Sequence, residues 1–217
     1  AVQQFLMMGR AAAGRQIITG EFWVWGRNTT GNAGTGNTTA VSVPVQLGTD
    51  TDFQNTLSPG SYEYSRVIVR SDGTLWSWGQ GNSGVLGHGN TTSLSSPVQV
   101  GTDTDWQEAA TTAGCCVAIK VAGTLWTWGD NSAGPLGTGN TTARSSPEHV
   151  GSDNAWAHGL PTGINHDFEV AMKNDGGIYY SGSCTGGLST VSSFTQIGSE
   201  EGFKDAIMVG TGVVAFK

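Results

Sequence analysis

Short runs in which apolar and polar residues alternate recur along the whole chain and return in the same order about every fifty residues. The clearest is a Trp-x-Trp-Gly phrase at Trp23-Val24-Trp25-Gly26, Trp76-Ser77-Trp78-Gly79 and Trp126-Thr127-Trp128-Gly129, answered in a fourth copy by Tyr179-Tyr180-Ser181-Gly182. An aromatic residue keeps the same register at Phe5, Phe53, Trp106, Trp156 and Phe203. A β-branched run ends at Thr19, Arg70, Lys120, Lys173 and Lys217. A fourth piece recurs as Pro44-Val45-Gln46-Leu47, Pro97-Val98-Gln99-Val100, Pro147-Glu148-His149-Val150 and Phe194-Thr195-Gln196-Ile197.

Each repeat thus holds four strand-like pieces, bounded by Gly, Asn, Asp or Ser, and no window shows a 3.6-residue apolar period. The first three strands are expected near 5–8, 15–19 and 22–25, with equivalents in each later copy. Ser71-Asp72-Gly73-Thr74 and Asn174-Asp175-Gly176-Gly177 mark a tight hairpin between pieces two and three. Four antiparallel strands per repeat predict an all-β chain of β-propeller blades, with a β-solenoid of shorter coils as the weaker alternative. The chain reads as one repeat domain, 1–217, with blades near 5–52, 53–105, 106–155 and 156–202 and a partial fifth at 203–217.

Composition sharpens this picture. Gly contributes 34 residues and charged residues only 12% of the chain, which suits short strands and tight turns on a surface solvated by amides and hydroxyls. The net charge of −7 and the scattered ten Lys and Arg argue against nucleic acid and anionic membranes as partners. No apolar run approaches the length of a membrane span. Three cysteines make no disulfide framework: Cys115 and Cys116 sit in an apolar run, and Cys184 stands in a turn. No cofactor or metal is expected, because no second Cys or His falls at ligand spacing.

The motifs that suggest chemistry have plainer readings. Gly79-Gln80-Gly81-Asn82-Ser83-Gly84 matches G-x-G-x-x-G, but no helix follows to present its N-terminus to a phosphate, so it reads as a turn. Gly182-Ser183-Cys184-Thr185-Gly186 imitates a nucleophile elbow without the helix that device needs. Asp50-Thr51-Asp52 and Asp103-Thr104-Asp105 are too short for a calcium loop and read as solvated turns between blades. Asn28, Asn37, Asn90 and Asn140 each open an Asn-Thr-Thr sequon, and three of them belong to a repeated Gly-Asn-Thr-Thr turn. All eight tryptophans fall at repeat positions and read as core between packed blades. His88, His149, His158 and His166 share no short spacing.

Gly123 to Asn140, with its Gly-Thr-Leu-Trp-Thr-Trp-Gly-Asp-Asn-Ser-Ala-Gly-Pro-Leu-Gly-Thr-Gly-Asn wording, resembles the regulator of chromosome condensation repeat, as do Gly73 to Asn90 and Ser95 to Gly101. The resemblance runs along essentially the whole chain, weaker in copies one and four, and implies a propeller, commonly of seven blades. It does not imply the exchange-factor activity of the founding protein, because the repeat serves many roles. The family often has His five residues before the Lys that closes strand two; here those positions are Gly14, Ser65, Cys115, Phe168 and Gly212. The partial fifth repeat ends at the residue closing strand two. The expectation is that the native polypeptide continues past Lys217 toward a closed ring, with a second subunit covering the edge as the alternative.

Function in a repeat protein is expected where the copies differ. The connector between strands one and two is longer in copies two and four, where it carries Tyr62 and Tyr64, or Asn165, His166 and Asp167. Copy four also lacks the Gly-x-Gly-Asn-Thr-Thr element of its three–four loop. Both connectors emerge at one end of a meander. These residues, with His88 in the three–four loop of copy two, are the candidate partner-binding set; a Tyr plugging the blade edge is the equal alternative. The chain is expected to be a non-enzymatic binding or structural module with no catalytic residues. Its partners would be a protein or surface glycan, or other subunits of a viral or surface assembly. The repeat wording resembles that of bacteriophage and bacterial surface proteins and suggests a virion, tail, fibre or cell-surface setting. The alternative is an inhibitor or regulator binding a soluble target through one propeller face, as a β-lactamase inhibitor of the family does.

Overall fold

The computed structural model describes residues 19–49, 51–54, 64–112, 114–160, 167–183, 188–209 and 212–217. They form strands and turns without α-helix. In the third repeat, β8 (Trp106–Thr111), β9 (Cys115–Lys120), β10 (Leu125–Gly129) and β11 (Arg144–His149) make an antiparallel sheet in the order β8-β9-β10-β11. The fourth repeat repeats it with β12 (Trp156–Leu160), β13 (Phe168–Lys173), β14 (Ile178–Gly182) and β15 (Val191–Gln196). Copy two has the two-residue β4 (Phe53–Gln54), then β5 (Ser65–Val69), β6 (Leu75–Gly79) and β7 (Leu94–Gln99) as a three-stranded sheet. Copy one contributes β1 (Thr19–Gly20), β2 (Trp23–Gly26) and β3 (Val41–Gln46). The fifth repeat contributes the hairpin β16 (Asp205–Val209) and β17 (Gly212–Phe216). The strands expected at 5–8 and most of 15–19 lie outside the described residues.

The sheets stack blade on blade, and strand two of blades two, three and four is buried on both faces. In β9 all six residues are buried: Cys116 and Ala118 face the second blade, Val117 and Ile119 the fourth. This explains why strand two reads as a continuous apolar run rather than an alternating one. Trp78 fills the layer between blades one and two, and Trp128 the layer between blades two and three. A solenoid of shorter coils is excluded by the four-stranded meanders.

Bulges fall at one equivalent position in each of the first four copies, between Val24 and Gly26, Ser77 and Gly79, Thr127 and Gly129, Tyr180 and Gly182. The glycine that ends each phrase has φ between +99° and +108°. A Cβ on Gly79 would lie 2.1 Å from the Tyr64 carbonyl oxygen, and on Gly182 2.0 Å from that of Asp167. Only glycine fits there.

The core reading of the tryptophans holds for Trp78, Trp106, Trp128 and Trp156, which are buried, and for the partly buried Trp76 and Trp126. It fails for Trp23 and Trp25, which are 48% and 49% exposed. The physical reason is positional. The third-strand indoles of blades two and three face the preceding blade, whereas the equivalent face of copy one leaves its indoles about half exposed.

Candidate functional site

Strand polarity sorts the loops onto two ends. One end carries the two–three hairpins and acidic corners, the other the one–two and three–four connectors.

At the first end the structure builds one device four times. The cation closing strand two lies over the aromatic that opens strand one and, in three copies, over the first aromatic of strand three. Lys120 Nζ is 4.8 Å from the centroid of Trp106 and 4.9 Å from that of Trp126. Arg70 lies over Phe53 and Trp76, Lys173 over Trp156 and Tyr179, and Lys217 over Phe203. The acidic corner supplies the counter-charge: Lys120 Nζ donates to Asp103 at 2.7 Å and sits 2.9 Å from Asp105. Lys173 pairs with Asp153, and Lys217 with Glu200. Burial between the rings pulls the Lys120 pKa down, but its hydrogen bonds to the two carboxylates outweigh this and leave it raised. The corners are therefore not the merely solvated turns expected from their composition. They hold a cation already, and it belongs to the protein. The aligned recurrence of acid and Lys or Arg in copies two to five is the signal that would have revealed the pairing.

At the other end, buried asparagines shape the three–four loops. Asn28 and Asn131 are fully buried. Asn131 donates to the carbonyls of Asn140 and Thr142 and accepts from the Leu136 amide. Asn28 does the same with Asn37, Thr39 and Ala33. The Asn28 sequon is thus a loop clamp, whereas Asn37, Asn90 and Asn140 accept from the amides two residues on, the turn chemistry expected. Copy two has Gly81 in the clamp position and His88 where the others have Thr35 and Thr138. The His88 ring nitrogen lies 2.9 Å from Ser77 Oγ, and partial burial lowers its pKa. The G-x-G-x-x-G stretch is a turn, with one turn of 3-10 helix at Asn82–Gly84.

Tyr64, Gly114 and Asp167 occupy one equivalent position. Their carbonyls accept from the amides of Gln80, Asp130 and Ser183 at 2.8, 2.8 and 2.6 Å. Tyr64 is half-buried; the exposed Arg27 guanidinium of the first blade lies 5.7 Å from its ring centroid, and Thr30 Oγ1 donates to its carbonyl at 3.3 Å. Asp167 stands beside the fourth blade's connector. Tyr62, Asn165 and His166 lie outside the described residues. No hydrogen bond or ring contact among the described residues joins Tyr64, His88 and Asp167, which sit on three different connectors of one end. Arg27 is the residue the sequence reading missed; its position after Trp-x-Trp-Gly, taken by Gln80 and Asp130 in other copies, marks it as variable.

Among the described residues no group of three or more His, Cys, Asp or Glu is placed to hold a metal ion. No helix there is long and apolar enough to cross a membrane, which says nothing of a β-barrel.

Comparison with known proteins agrees with this geometry. The model of the Regulator of chromosome condensation (RCC1) repeat matches residues 72–119 and 122–158. The fold is similar to human WBSCR16, with a TM-score of 0.65 and 18% identity over 81% of this chain and 47% of that one. It is similar to yeast RCC1 (Prp20) in its crystal structure with Kap60, at a TM-score of 0.72 and 17% identity over 90% of this chain and 50% of that one. The structure of Prp20p from Saccharomyces cerevisiae, described with its binding to Gsp1p and histones, gives 0.72 and 14% over 93% and 52%. The chain spans about half the length of these structures. It carries RCC1 repeats over residues 72–119 and 122–158, set within an all-β array of propeller blades.

Proposed function

We propose that this chain is a non-enzymatic, regulator-type module that binds a protein through the end of the propeller carrying the one–two and three–four connectors. The observation that supports it is the division of labour between the two ends. The acidic-corner end repeats one cation–aromatic device whose Lys120, Lys173 and Lys217 cations are paired within the chain. The connector end varies from blade to blade and exposes Arg27 beside Tyr64. Aromatic and Arg side chains are the residues enriched where protein partners bind. The yeast RCC1 structures, named with Kap60, Gsp1p and histones, favour a protein partner by analogy of fold. The virion or cell-surface setting rests on composition and repeat wording; the regulator-type reading is at least as well supported.

A photo-crosslinking amino acid placed at Arg27 and, separately, at Val121 tests this. Val121 is exposed at the hairpin end. Adducts with one discrete protein are expected from position 27 and not from position 121. Equal adducts from both ends, or adducts from 121 alone, would overturn the assignment of the face.

A further inference from the structure

We infer that Arg27 sets the chemistry of the partner at the connector end: the two Nη groups of its guanidinium receive, end-on, the carboxylate of an Asp or Glu side chain of the bound protein. The inference rests on the protein-binding reading of that end and adds what is recognised there.

Arg27 is a cation held in place by the chain but not neutralised by it. It follows the bulge glycine Gly26 and is exposed to solvent. Its Nε–H donates to Thr29 Oγ1 at 3.2 Å, and its guanidinium carbon lies 5.7 Å from the centroid of the Tyr64 ring in the next blade. Tyr64 is itself anchored, because its carbonyl accepts from the Gln80 amide at 2.8 Å and from Thr30 Oγ1 at 3.3 Å. Contacts from two blades therefore restrict where the guanidinium can point.

Other cations of the chain behave differently. Among the described residues Arg70, Lys120, Lys173 and Lys217 each lie beside a carboxylate at the hairpin end, and Arg144 beside Glu148 on β11. No carboxylate of the described residues pairs with Arg27. Glu21, the acid of its own blade, accepts from Trp23 Nε1 at 2.9 Å instead. In the later blades the position is taken by Gln80, Asp130 and Ser183, none of them a cation.

The hydrogen bond to Thr29 decides the direction of approach. A carboxylate meets a guanidinium side-on, through Nε and one Nη, or end-on, through both Nη groups. With Nε engaged the side-on edge is closed. The end-on pair is open, since neither Nη has a hydrogen-bond partner among the described residues. A lysine at this place would supply the charge without the fork.

Net charge and the neighbouring amides select among anions. At −7 the chain repels acidic surfaces in general, which makes an oriented cation the place where an acid can register. A phosphate carries close to two negative charges and pays more in the same field for the same single fork. A chain-terminal carboxylate is captured by a nest of free amides. Here the amides of Gly31, Ala33 and Gly34 already donate to the Asn28 carbonyl, Asn28 Oδ1 and the Gly31 carbonyl. A side-chain carboxylate is what remains.

The test is a titration of the full chain followed by NMR of labelled arginine Nε–H groups and tyrosine rings, with Arg27 assigned through Arg27→Lys and Arg144 as the paired control. Four probes are used at constant ionic strength. They are an N-acetylated, C-amidated tripeptide with one central glutamate, its glutamine analogue, an N-acetylated alanine tripeptide with a free carboxyl terminus, and inorganic phosphate. The glutamate peptide is expected to shift Arg27 and the Tyr64 ring saturably, with Arg144 unmoved, and to bind about fivefold or more tightly than the other three. Arg27→Lys is expected to weaken the Tyr64 response to it by a similar factor, with the rest of the spectrum unchanged. Equal shifts from the glutamine analogue, or no saturable shift at all, overturn the inference. Tighter binding of phosphate or of the free terminus replaces the side-chain carboxylate as the ligand, and an undiminished response in Arg27→Lys removes the fork. The titration needs no partner protein, so its failure with crosslinking from position 27 intact strikes the carboxylate and leaves the binding face standing. Saturable binding without crosslinks strikes the protein-binding reading.

Discussion

The thiol of Cys115 in the third blade donates to Oε1 of Glu169 in the fourth, 3.1 Å away, with both residues fully buried. Thr112 Oγ1 lies 3.1 Å from the same sulfur. Oε2 of Glu169 has no hydrogen-bond partner among the described residues. A buried carboxylate with one thiol donor is poorly solvated, so burial pushes the Glu169 pKa up to about 8. Burial and the neighbouring acid push the Cys115 thiol up as well.

This predicts a stability that falls with rising pH. The folded-state pKa of Glu169 exceeds its unfolded value, so between pH 4.5 and about 8 the native state holds a proton that the unfolded state has lost. The contribution is complete below the unfolded value and disappears as pH climbs through the folded one. The loss amounts to a few kcal/mol. Urea midpoints measured from pH 6.5 to 8.5 are expected to fall for the native chain and to stay flat for Glu169→Gln. The His88 shift acts below that window, and Cys115 above it. Parallel slopes for the two proteins would refute the assignment.

The cation–aromatic device predicts which half of it matters. Lys120 lies largely buried between two indoles, whereas the side chains of Asp103 and Asp105 are about half exposed. Lys120→Met keeps the packed stem but removes the charge, and is expected to cost about 1–2 kcal/mol. Replacing both aspartates by Asn removes only solvent-screened pairing and is expected to cost about 1 kcal/mol or less, with little loss left in 1 M salt. Chemical denaturation by urea at low and high salt distinguishes them. A larger cost for the aspartate pair would mean that the ion pair, not the rings, holds the cation.

Asn131 should be among the costliest polar side chains to remove. Asn131→Ala leaves the buried Leu136 amide and two loop carbonyls without their partner, a loss of about 2–4 kcal/mol. Asn82, exposed in a neighbouring loop, is the control and is expected to lose almost nothing as Ala. Equal thermal shifts for the two variants would contradict the clamp.

The strands were legible because each carries its own signal: period two at the edges, a continuous apolar run at β9, glycine after each bulge. What stayed hidden depends on residues distant in sequence. Nothing in the local wording of Asp103 points to Lys120, and Cys115 and Glu169 each look like ordinary strand residues until two blades meet. Asn131 and Asn140 share one amino-acid type and neighbouring turns, yet only the first is buried. Trp25 shows the converse. Its local pattern matches Trp78 and Trp128, and its environment differs because burial at that position comes from the blade before it, not from its own strand.

The last prediction separates binding from stability at the connector end. Tyr64 holds its strand through the main-chain carbonyl that accepts from Gln80, which no side-chain substitution removes. Its ring is half-buried and meets the exposed Arg27, a contact worth about 1 kcal/mol at most in solvent. Replacing Tyr62 and Tyr64 together by Ala, or Arg27 alone, is therefore expected to move the unfolding midpoint little. The same changes are expected to weaken the partner captured from position 27 by tenfold or more, as anchor side chains at interfaces do. Titration of that purified partner against each variant, beside urea unfolding of the same samples, gives both readouts. A large drop in stability with affinity intact would make the tyrosines plugs of the blade edge and move the binding surface elsewhere.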